Sequence, residues 1–355
     1  MITVEKKDFL NAIKVVKTAT AKGQLQPVLQ TVNLKTDKGS LVLTCTDCTN
    51  IARAVIEANA DEEINICVNV EKLDAIISHL DDIITMEIKG STIVIKSGSS
   101  IFKCLFIQGT DFPEIKIELD GEKMFLSKND FISGVNKTAF AIMSEMSFNN
   151  IISGICFTFN ETSCEMAATD GNRLSQVVFD CDLNNKGQYV IPKIALTSVA
   201  KIAKDDLQIC CKNDNITFYA DNFIYSTKLL NGKYPEYNQL IPQTFKKQIT
   251  IDKDELLKSL EKVSIMANDR TNIMKFAFNQ NQLELIAECD TGKAKDKIEI
   301  DYNDKELVIA FNYHYLLDGL KVMDSDVILM NINSPSTAVL FIGDYNYLVM
   351  PIQIK

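Results

Sequence analysis

The amino-acid sequence predicts an α+β fold made of three equivalent domains, each with two helices among many strands. Three patterns support this fold class, and each recurs about every 120 residues. The first is a short strand that leads through a polar residue into a helix. The second is an alternating strand that ends at an aspartate, and the third is a strand that runs into a second amphipathic helix. Since strands outnumber helices and do not alternate with them one by one, α/β is disfavoured.

The first pattern marks the start of each domain. It reads "TVEKKDFL" at 3–10, "FLSKNDFI" at 125–132 and "TIDKDELL" at 250–257. In each copy an acceptor side chain precedes the lysine, and these acceptors are Glu5, Ser127 and Asp252. We expect them to cap a helix by accepting from its free amides, and the acids that follow suit the positive end of the helix dipole.

The other two patterns place the remaining elements and the boundaries. The alternating strands "LVLTCTD", "CEMAATD" and "LELIAECD" end at Asp47, Asp170 and Asp290, and the strands entering second helices begin at residues 68, 190 and 309. Two repeats close alike, with "IQGTDFPEI" at 107–115 and "LLNGKYPEY" at 229–237, where proline prevents helix continuation. The sequence therefore predicts domains at 1–120, 121–243 and 244–355.

Length and composition describe an ordinary globular protein. The chain has 355 residues, of which 46% are hydrophobic and 24% charged, with a net charge of −10. Its N-terminus lacks the features of a signal peptide, and no window approaches the roughly 18 apolar residues of a membrane span. Ten cysteines without an export signal are expected to be reduced thiols, so we expect a cytoplasmic protein without a membrane partner.

No motif for catalysis or cofactor binding occurs in the sequence. There is no P-loop, dinucleotide turn, nucleophile elbow or zinc-protease helix. Cys45 and Cys48 form a C-x-x-C, but the other cysteines supply no second pair for zinc. His79 and His314 are interpreted as structural. We therefore expect no catalytic residue, no metal, no cofactor and no enzyme activity, although an enzyme with an unrecognised site stays an alternative.

Several predicted helices carry lysines in segments with few acids. The segments 9–22 and 192–204 contain three lysines each and no acidic residue. The segments 71–82 and 312–326, in contrast, are net acidic. The lysines either form a solubilising polar face or present a basic surface within an acidic molecule. The candidates for a basic surface are Lys14, Lys17, Lys22, Lys137, Lys193 and Lys201.

The stretch "AATDGNRLS" at 167–175 combines a turn signal with an arginine. Asp170 can bond its own backbone and Gly171 tolerates positive φ, so a tight turn is expected. Arg173 is one of only three arginines in the chain, and Gly-x-Arg-Leu follows the strand-ending aspartate only in the middle repeat. It is either a surface turn or part of a binding site.

Over its whole length the chain resembles the bacterial DNA sliding clamps, the β subunits of the DNA polymerase III holoenzyme. The resemblance rests on the three repeats, on "AATDGNRLS", on "KLLNGKYPEYNQLIP" and on the terminal "YLVMPIQIK". It implies a head-to-tail homodimeric ring of six clamp domains, with helices lining the hole and antiparallel sheets outside. Such a ring encircles duplex DNA without reading bases and makes the polymerase processive. An acidic chain can do this, because sliding needs only weak, salt-sensitive phosphate contacts.

The resemblance also implies site residues. Peptides of the replicative polymerase, the clamp loader and other partners would dock between the middle and C-terminal domains, in a groove formed by Ile152, Thr169, Gly171, Asn172, Arg173, Leu174, Pro242, Leu348, Met350, Pro351 and Ile352. The dimer would close through Phe102 and Cys104 against Ile265 and Met266. The sequence departs from the family at Asn172, where many members have histidine, and at Gln26 before Pro27. A ring that serves something other than DNA stays an alternative.

Overall fold

The computed structural model describes residues 1–21, 23, 26–143, 151–181, 186–221 and 223–354. Every strand pair among these residues is antiparallel. Each third of the chain has two α-helices in its described part. The predicted α+β class is confirmed, because strands pair by hairpins and helices pack on the sheets rather than crossing between parallel strands.

The first third begins with a strand and an amphipathic helix, as predicted. Helix α1 buries Phe9, Ile13 and Val16, which share one face at helical spacing. The helices are α1 (Lys6–Val16) and α2 (Val70–Ser78). The strands are β1 (Ile2–Glu5), β2 (Thr31–Asp37), β3 (Ser40–Thr46), β4 (Asn50–Glu57), β5 (Asn59–Ala60), β6 (Asn65–Asn69), β7 (Ile83–Lys89), β8 (Thr92–Ser97), β9 (Ser100–Leu105) and β10 (Ile107–Gln108).

The middle third repeats the order of strand, helix, strands, helix and strands. Its alternating strand ends at Thr169, directly before Asp170, as its counterpart in the first third ends before Asp47. The helices are α3 (Lys128–Thr138) and α4 (Lys193–Ile202). The strands are β11 (Glu122–Leu126), β12 (Gly154–Phe159), β13 (Ser163–Thr169), β14 (Arg173–Asp180), β15 (Gly187–Pro192), β16 (Leu207–Lys212), β17 (Asn215–Ala220) and β18 (Phe223–Lys228).

The last third follows the same order and ends on a short strand. Its alternating strand again stops directly before the predicted aspartate, Asp290. The helices are α5 (Lys253–Ser264) and α6 (Tyr313–Lys321). The strands are β19 (Lys247–Asp252), β20 (Ile273–Asn279), β21 (Gln282–Cys289), β22 (Gly292–Glu299), β23 (Leu307–Asn312), β24 (Val327–Ile332), β25 (Val339–Ile342) and β26 (Asn346–Val349).

The predicted helix caps form in two of the three repeats. Ser127 Oγ accepts from the Asp130 amide at 3.1 Å, and Asp252 Oδ1 accepts from the Glu255 amide at 2.8 Å. The prediction for Glu5 is wrong, because its side chain makes no capping bond. Glutamate is one methylene longer than the short side chains favoured at this position.

The chain divides into two compact units. The first contains residues 1–131 and 194–229, with the sheets β5-β1-β7-β8-β9 and β10-β6-β2-β3-β4-β18-β17-β16-β11. The second contains residues 132–193 and 230–355, with the sheets β15-β12-β13-β14-β26-β25-β24-β19 and β22-β21-β20-β23. The middle repeat thus contributes strands to both units, and the three predicted domain boundaries stay a prediction.

Candidate functional site

The turn after β13 is held by side-chain bonds to its own backbone. Asp170 Oδ1 accepts from the amides of Asn172 and Arg173 at 2.9 and 3.1 Å. Thr169 Oγ1 donates to the Arg173 carbonyl at 2.6 Å and accepts from the Gly171 amide at 3.1 Å. Gly171 has φ +90°, a conformation that glycine adopts without strain. The predicted turn is therefore present, and four hydrogen bonds hold its backbone.

The first repeat contains the same turn with different residues. Thr46 Oγ1 donates to the Asn50 carbonyl at 2.7 Å, and Asp47 Oδ1 accepts from the Asn50 amide at 2.6 Å. Cys48 occupies the positive-φ position that Gly171 occupies in the middle repeat, with φ 72°. The two turns thus share their hydrogen bonds and their positive-φ position. They differ in the last residue, which is Asn50 in the first repeat and Arg173 in the middle one.

That side chain, Arg173, is turned into the second unit and is only 9% exposed. Its Nε donates to Asp170 Oδ2 at 2.9 Å, while its two terminal nitrogens donate to Asp318 Oδ2 and to the Phe140 carbonyl, each at 2.7 Å. The guanidinium also lies 4.5 Å from the centre of the Tyr315 ring. Burial alone would lower the pKa of Arg173, but Tyr347 and the two carboxylates raise it. The arginine therefore ties the turn to α6.

The C-terminal strand completes the site by pairing with β14. In this pair Leu174 is opposite Leu348, and Arg173 is opposite Val349. Beyond the strand, the Met350 amide donates to the Asn172 carbonyl at 2.8 Å, and the Ile352 amide donates to the Ala310 carbonyl at 2.7 Å. The end of the described chain is thus fixed against the turn.

A cleft of about 410 Å³ opens beside this pair of strands. Beneath it lies a buried apolar cluster that includes Leu174, Leu348, Tyr234 and Tyr237. The cleft is lined by Gln176, Asn238, Ile241, Pro242, Gln243, Phe245, Leu340, Ile342 and Asn346. A cleft of this size, with five apolar and four amide side chains in its lining, fits a ligand that has both short apolar groups and hydrogen-bonding groups.

The polar side chains in the cleft are bonded to one another. Gln176 Nε2 donates to Glu165 Oε1 at 2.8 Å and to Asn238 Oδ1 at 3.0 Å, and Asn346 Nδ2 donates to Gln176 Oε1 at 3.0 Å. The Tyr237 hydroxyl donates to the same Glu165 oxygen at 2.5 Å, and burial raises the pKa of Tyr237. One carboxylate thus anchors the closing segment to the sheet.

The structure brings most of the predicted groove residues together. The turn residues and the C-terminal residues adjoin through β14 and β26, Ile152 packs against the buried cluster, and Pro242 lines the cleft. Sequence reasoning missed eight lining residues, which are Gln176, Asn238, Ile241, Gln243, Phe245, Leu340, Ile342 and Asn346. Asn238 and Ile241 lie within "KLLNGKYPEYNQLIP", and Gln176, Gln243, Phe245 and Asn346 lie within three residues of one of the three family motifs. Leu340 and Ile342, in contrast, read only as part of a buried hairpin.

The six candidate lysines lie in different surroundings. Lys14 and Lys201 are exposed on α1 and α4, Lys193 is half-buried, and Lys22 lies outside the described residues. Lys17 Nζ is 2.5 Å from Glu71 Oε2 and 2.8 Å from Asp74 Oδ2, so most of its charge is balanced; bonds to Asp74 and then Glu71 raise its pKa.

Lys137 does not fit a DNA-facing role. Its side chain is 10% exposed, and Nζ lies 2.8 Å from Asp324 Oδ2 and 2.5 Å from Asp344 Oδ2. A lysine with two carboxylate partners and little exposure cannot offer its charge to a phosphate. The prediction that Lys137 faces DNA is therefore corrected, since this lysine forms ion pairs within the second unit.

The residues predicted for a dimer contact are exposed to different degrees. Phe102 lies on β9, at the edge of its five-stranded sheet, and Cys104 on the same strand is half-buried. Ile265 directly follows α5 and is 80% exposed, whereas Met266 beside it is half-buried. Leu105, which the sequence did not single out, is 75% exposed on β9.

The described residues offer neither a disulfide nor a metal centre. All ten cysteines are free thiols, and no group of metal-ligating side chains occurs in the described part of the chain. Within those ranges, every helix is too short or too polar to cross a membrane.

Three family descriptions match consecutive segments of the chain. Residues 1–116 match "DNA polymerase III beta subunit, N-terminal domain", residues 125–236 match its "central domain", and residues 238–353 match its "C-terminal domain". Together they span nearly the whole sequence in the order of the three predicted repeats.

Individual relatives and structures agree. The chain is 28% identical over 364 residues to the beta sliding clamp of Synechococcus elongatus, with 97% of this chain and 96% of the relative covered. It is 26% identical over 338 residues to that of Chlamydia muridarum, with 93% and 92% covered. A Pseudomonas aeruginosa sliding clamp bound to griselimycin superposes with a TM-score of 0.94 at 23% identity, with 99% of both chains covered. The Thermotoga maritima β subunit also gives 0.94, at 22% identity, with 100% of this chain and 99% of that one covered.

Proposed function

This chain belongs to the family of DNA polymerase III β subunits, and from that premise we propose how it closes around DNA and binds its partners. It is a sliding clamp, a non-catalytic processivity factor of DNA replication, and its partners are DNA and the polymerase. The finer proposal is a head-to-tail homodimeric ring around duplex DNA. A peptide groove in the second unit would tether the polymerase catalytic subunit, the clamp loader and other proteins, and the ring would work in the cytoplasm.

The observation that carries the groove is the cleft beside β14 and β26. Partly exposed Ile241, Ile342 and Met350 offer an adaptable apolar surface next to it. Such a surface suits a short peptide with apolar anchors. The residues proposed from the sequence remain its members, and Arg173 acts in it as a positioning residue, because its guanidinium is bonded within the chain.

Titration of a fluorescent clamp-binding peptide from a polymerase tests the groove. Changing Ile342→Ala and Met350→Ala together should weaken binding about ten- to a hundredfold, because lost apolar anchors typically cost about 1–3 kcal/mol. The matched control is Val178→Ala, which removes an exposed apolar side chain from β14 outside the cleft lining. Equal affinity for the groove variant and the control would reject the groove.

For DNA, we propose that Lys14, Lys17, Lys193 and Lys201 face the hole, with Lys14 and Lys201 contributing most because they are exposed. Lys22 stays in the proposed set from sequence alone. Phosphate contacts of this kind do not read sequence and weaken with salt. The ring itself, rather than these contacts, would retain the DNA.

A closed-circle assay tests this second proposal. Clamps loaded on a nicked circle should stay bound through gel filtration and leave when the circle is linearised. Lys14→Glu with Lys201→Glu should load more slowly and lose retention at lower salt, whereas Lys228→Glu on β18 should behave like the unchanged protein. Release from intact circles as fast as from linear DNA would exclude the ring.

A further inference from the structure

A second cleft lies in the first unit, on the nine-stranded sheet. It has a volume of about 790 Å³ and lies between β2, β3 and β4 and the segment that closes the first repeat. Asn33, Thr44 and Arg53 line it from the sheet, and Phe112 and Ile115 line it from the closing segment. This cleft is larger than the one in the second unit and has no role in the proposed function.

Comparison of the two repeats shows what this cleft lacks. Matching the turn at Asp47 with the turn at Asp170 places Arg53 at the position of Gln176 and Val42 at the position of Glu165. In the middle repeat the Glu165 carboxylate accepts from Gln176 and from the Tyr237 hydroxyl. In the first repeat Val42 stands at the position of the Glu165 carboxylate, and the cationic Arg53 stands at the position of the neutral amide donor Gln176.

Arg53 is consequently without a counterion among the described residues. Its Nε is buried and makes no hydrogen bond, and no ion pair joins its guanidinium to a carboxylate in the described part of the chain. Burial lowers the pKa of Arg53, yet arginine stays protonated in proteins. The side chain as a whole is half-buried, and leaving its buried Nε without a partner costs free energy, so an anion that enters the cleft gains a charge-assisted bond.

The closing segments explain why the cleft is open. In the middle repeat Tyr234 and Tyr237 are buried, and their rings pack edge to face at 5.9 Å. The corresponding Phe112 and Ile115 in "DFPEI" are only half-buried, and Ile115 has no hydroxyl. The space that the tyrosines occupy in one repeat is therefore available in the other.

We propose that this cleft binds a ligand carboxylate, which pairs with Arg53 while an attached apolar group packs on Phe112 and Ile115. The carboxylate takes the place that Glu165 occupies in the middle repeat. A monoanion matches the planar fork of arginine. Exposed Asp37 and Glu114 also line the cleft and are offset by exposed Lys35 and Lys116, so the preference for a carboxylate rests on the match with Glu165 of the middle repeat.

Ligand-observed NMR titration of the full chain tests the proposal with two matched pairs of probes. Phenylacetate is compared with neutral phenylacetamide, and the peptide acetyl-Phe-Glu-Leu-amide with its glutamine analogue. Each carboxylate should bind at least about tenfold more tightly than its amide, because a charge-assisted pair is lost in the amide. If the glutamate peptide binds more tightly than phenylacetate, the natural ligand is an acidic protein segment. If phenylacetate binds as tightly or more tightly, the natural ligand is a small acid.

The variant Arg53→Gln, which installs the residue of the middle repeat, should abolish the carboxylate preference in both pairs. Since it removes a half-buried charge that has no ion-pair partner, it should fold normally. Lys228→Gln makes the same change in net charge outside the cleft and should keep the preference. The proposal is overturned if neither carboxylate binds, if amides bind equally well, or if Arg53→Gln retains the preference.

Discussion

At the scale of single residues, one position decides what a repeated turn does. Asn50 and Arg173 occupy the same place after the strand-ending aspartate, and both bond that aspartate, Asn50 Nδ2 at 2.8 Å and Arg173 Nε at 2.9 Å. The asparagine reaches no further. The longer arginine continues to Asp318 and the Phe140 carbonyl, and so connects the middle repeat to the last one within the second unit.

We predict that Arg173→Asn, which copies the first repeat, keeps the local bond but destabilises the second unit by about 2–4 kcal/mol, because partners of a buried charge are left unsatisfied. Urea unfolding measures the change. Asp318→Asn is the control and should cost at most about 1 kcal/mol, since Asp318 is half-exposed. An Arg173→Asn protein as stable as the unchanged chain would mean that these bonds contribute nothing.

At the scale of elements, the end of α3 is tied to the last third of the chain by Lys137. Its two partners lie in loops after α6 and after β25, and Asp344 also accepts from the amides of Asp324 and Ser325. A lysine on an amphipathic helix reads as a solvent-facing charge. In the structure, Asp324 and Asp344 pair with the Lys137 ammonium, and we infer that its charge stabilises the fold rather than attracting DNA.

This tie should make the second unit sensitive to acid. Burial alone would raise the pKa of Asp344, but the hydrogen bond from Lys137 holds it below the usual value. A lowered folded pKa gives stability that is present above the unfolded value of about 3.9 and is lost as pH falls through the folded one. Melting temperatures between about pH 6 and 2 should therefore fall steeply for the unchanged chain.

The variant Lys137→Met supplies the comparison for the acid series. It should be less stable near neutral pH and should show a shallower loss below about pH 4, since Asp344 then has no cation to lower its pKa. Lys201→Met, at an exposed site on α4, should follow the unchanged chain. Parallel pH curves for the Lys137→Met variant and the unchanged chain would contradict the role of this ion pair.

At the scale of the whole molecule, two of the strands that end a sheet in the described chain bear on the proposed dimer. Strand β9 ends the five-stranded sheet and exposes Ile101 and Leu105, and β22 ends the four-stranded sheet near Ile265. An edge with exposed apolar side chains, as on β9, invites pairing with another chain, whereas the exposed side chains of β22 itself are charged. Because β9 and β22 belong to the first and last repeats, the proposed pairing of these strands between copies would give two identical contacts about a two-fold axis and a closed ring.

We predict that Phe102→Glu or Ile265→Glu yields monomers, because each places a charge in an apolar contact that excludes water. Sedimentation velocity measures the change. Val178→Glu, at a similarly exposed apolar site on β14, should leave the dimer intact. A dimer that persists in both interface variants at micromolar concentration would reject this interface. The proposal of the peptide groove does not depend on that result.

The sequence by itself determined the features that depend on neighbours along the chain. The period of the repeats, the strands ending before Asp47, Asp170 and Asp290, and the caps at Ser127 and Asp252 follow from local spacing and short-range hydrogen bonds. The fold class followed from these patterns, whereas the family followed from the resemblance of the repeats, "AATDGNRLS", "KLLNGKYPEYNQLIP" and "YLVMPIQIK" to the sliding clamps. They are predictable because each involves only a few consecutive residues.

Only the tertiary structure decided where the long side chains go and which strands meet. Sequence reasoning gave Arg173 to a ligand and Lys137 to DNA, whereas both bind carboxylates that lie more than a hundred residues away along the chain. The walls contributed by Leu340, Ile342 and Asn346, and the unpaired Arg53 in the first unit, likewise depend on sheet pairing. A flexible side chain takes whichever partner the fold brings within reach, and that choice is not encoded in local spacing.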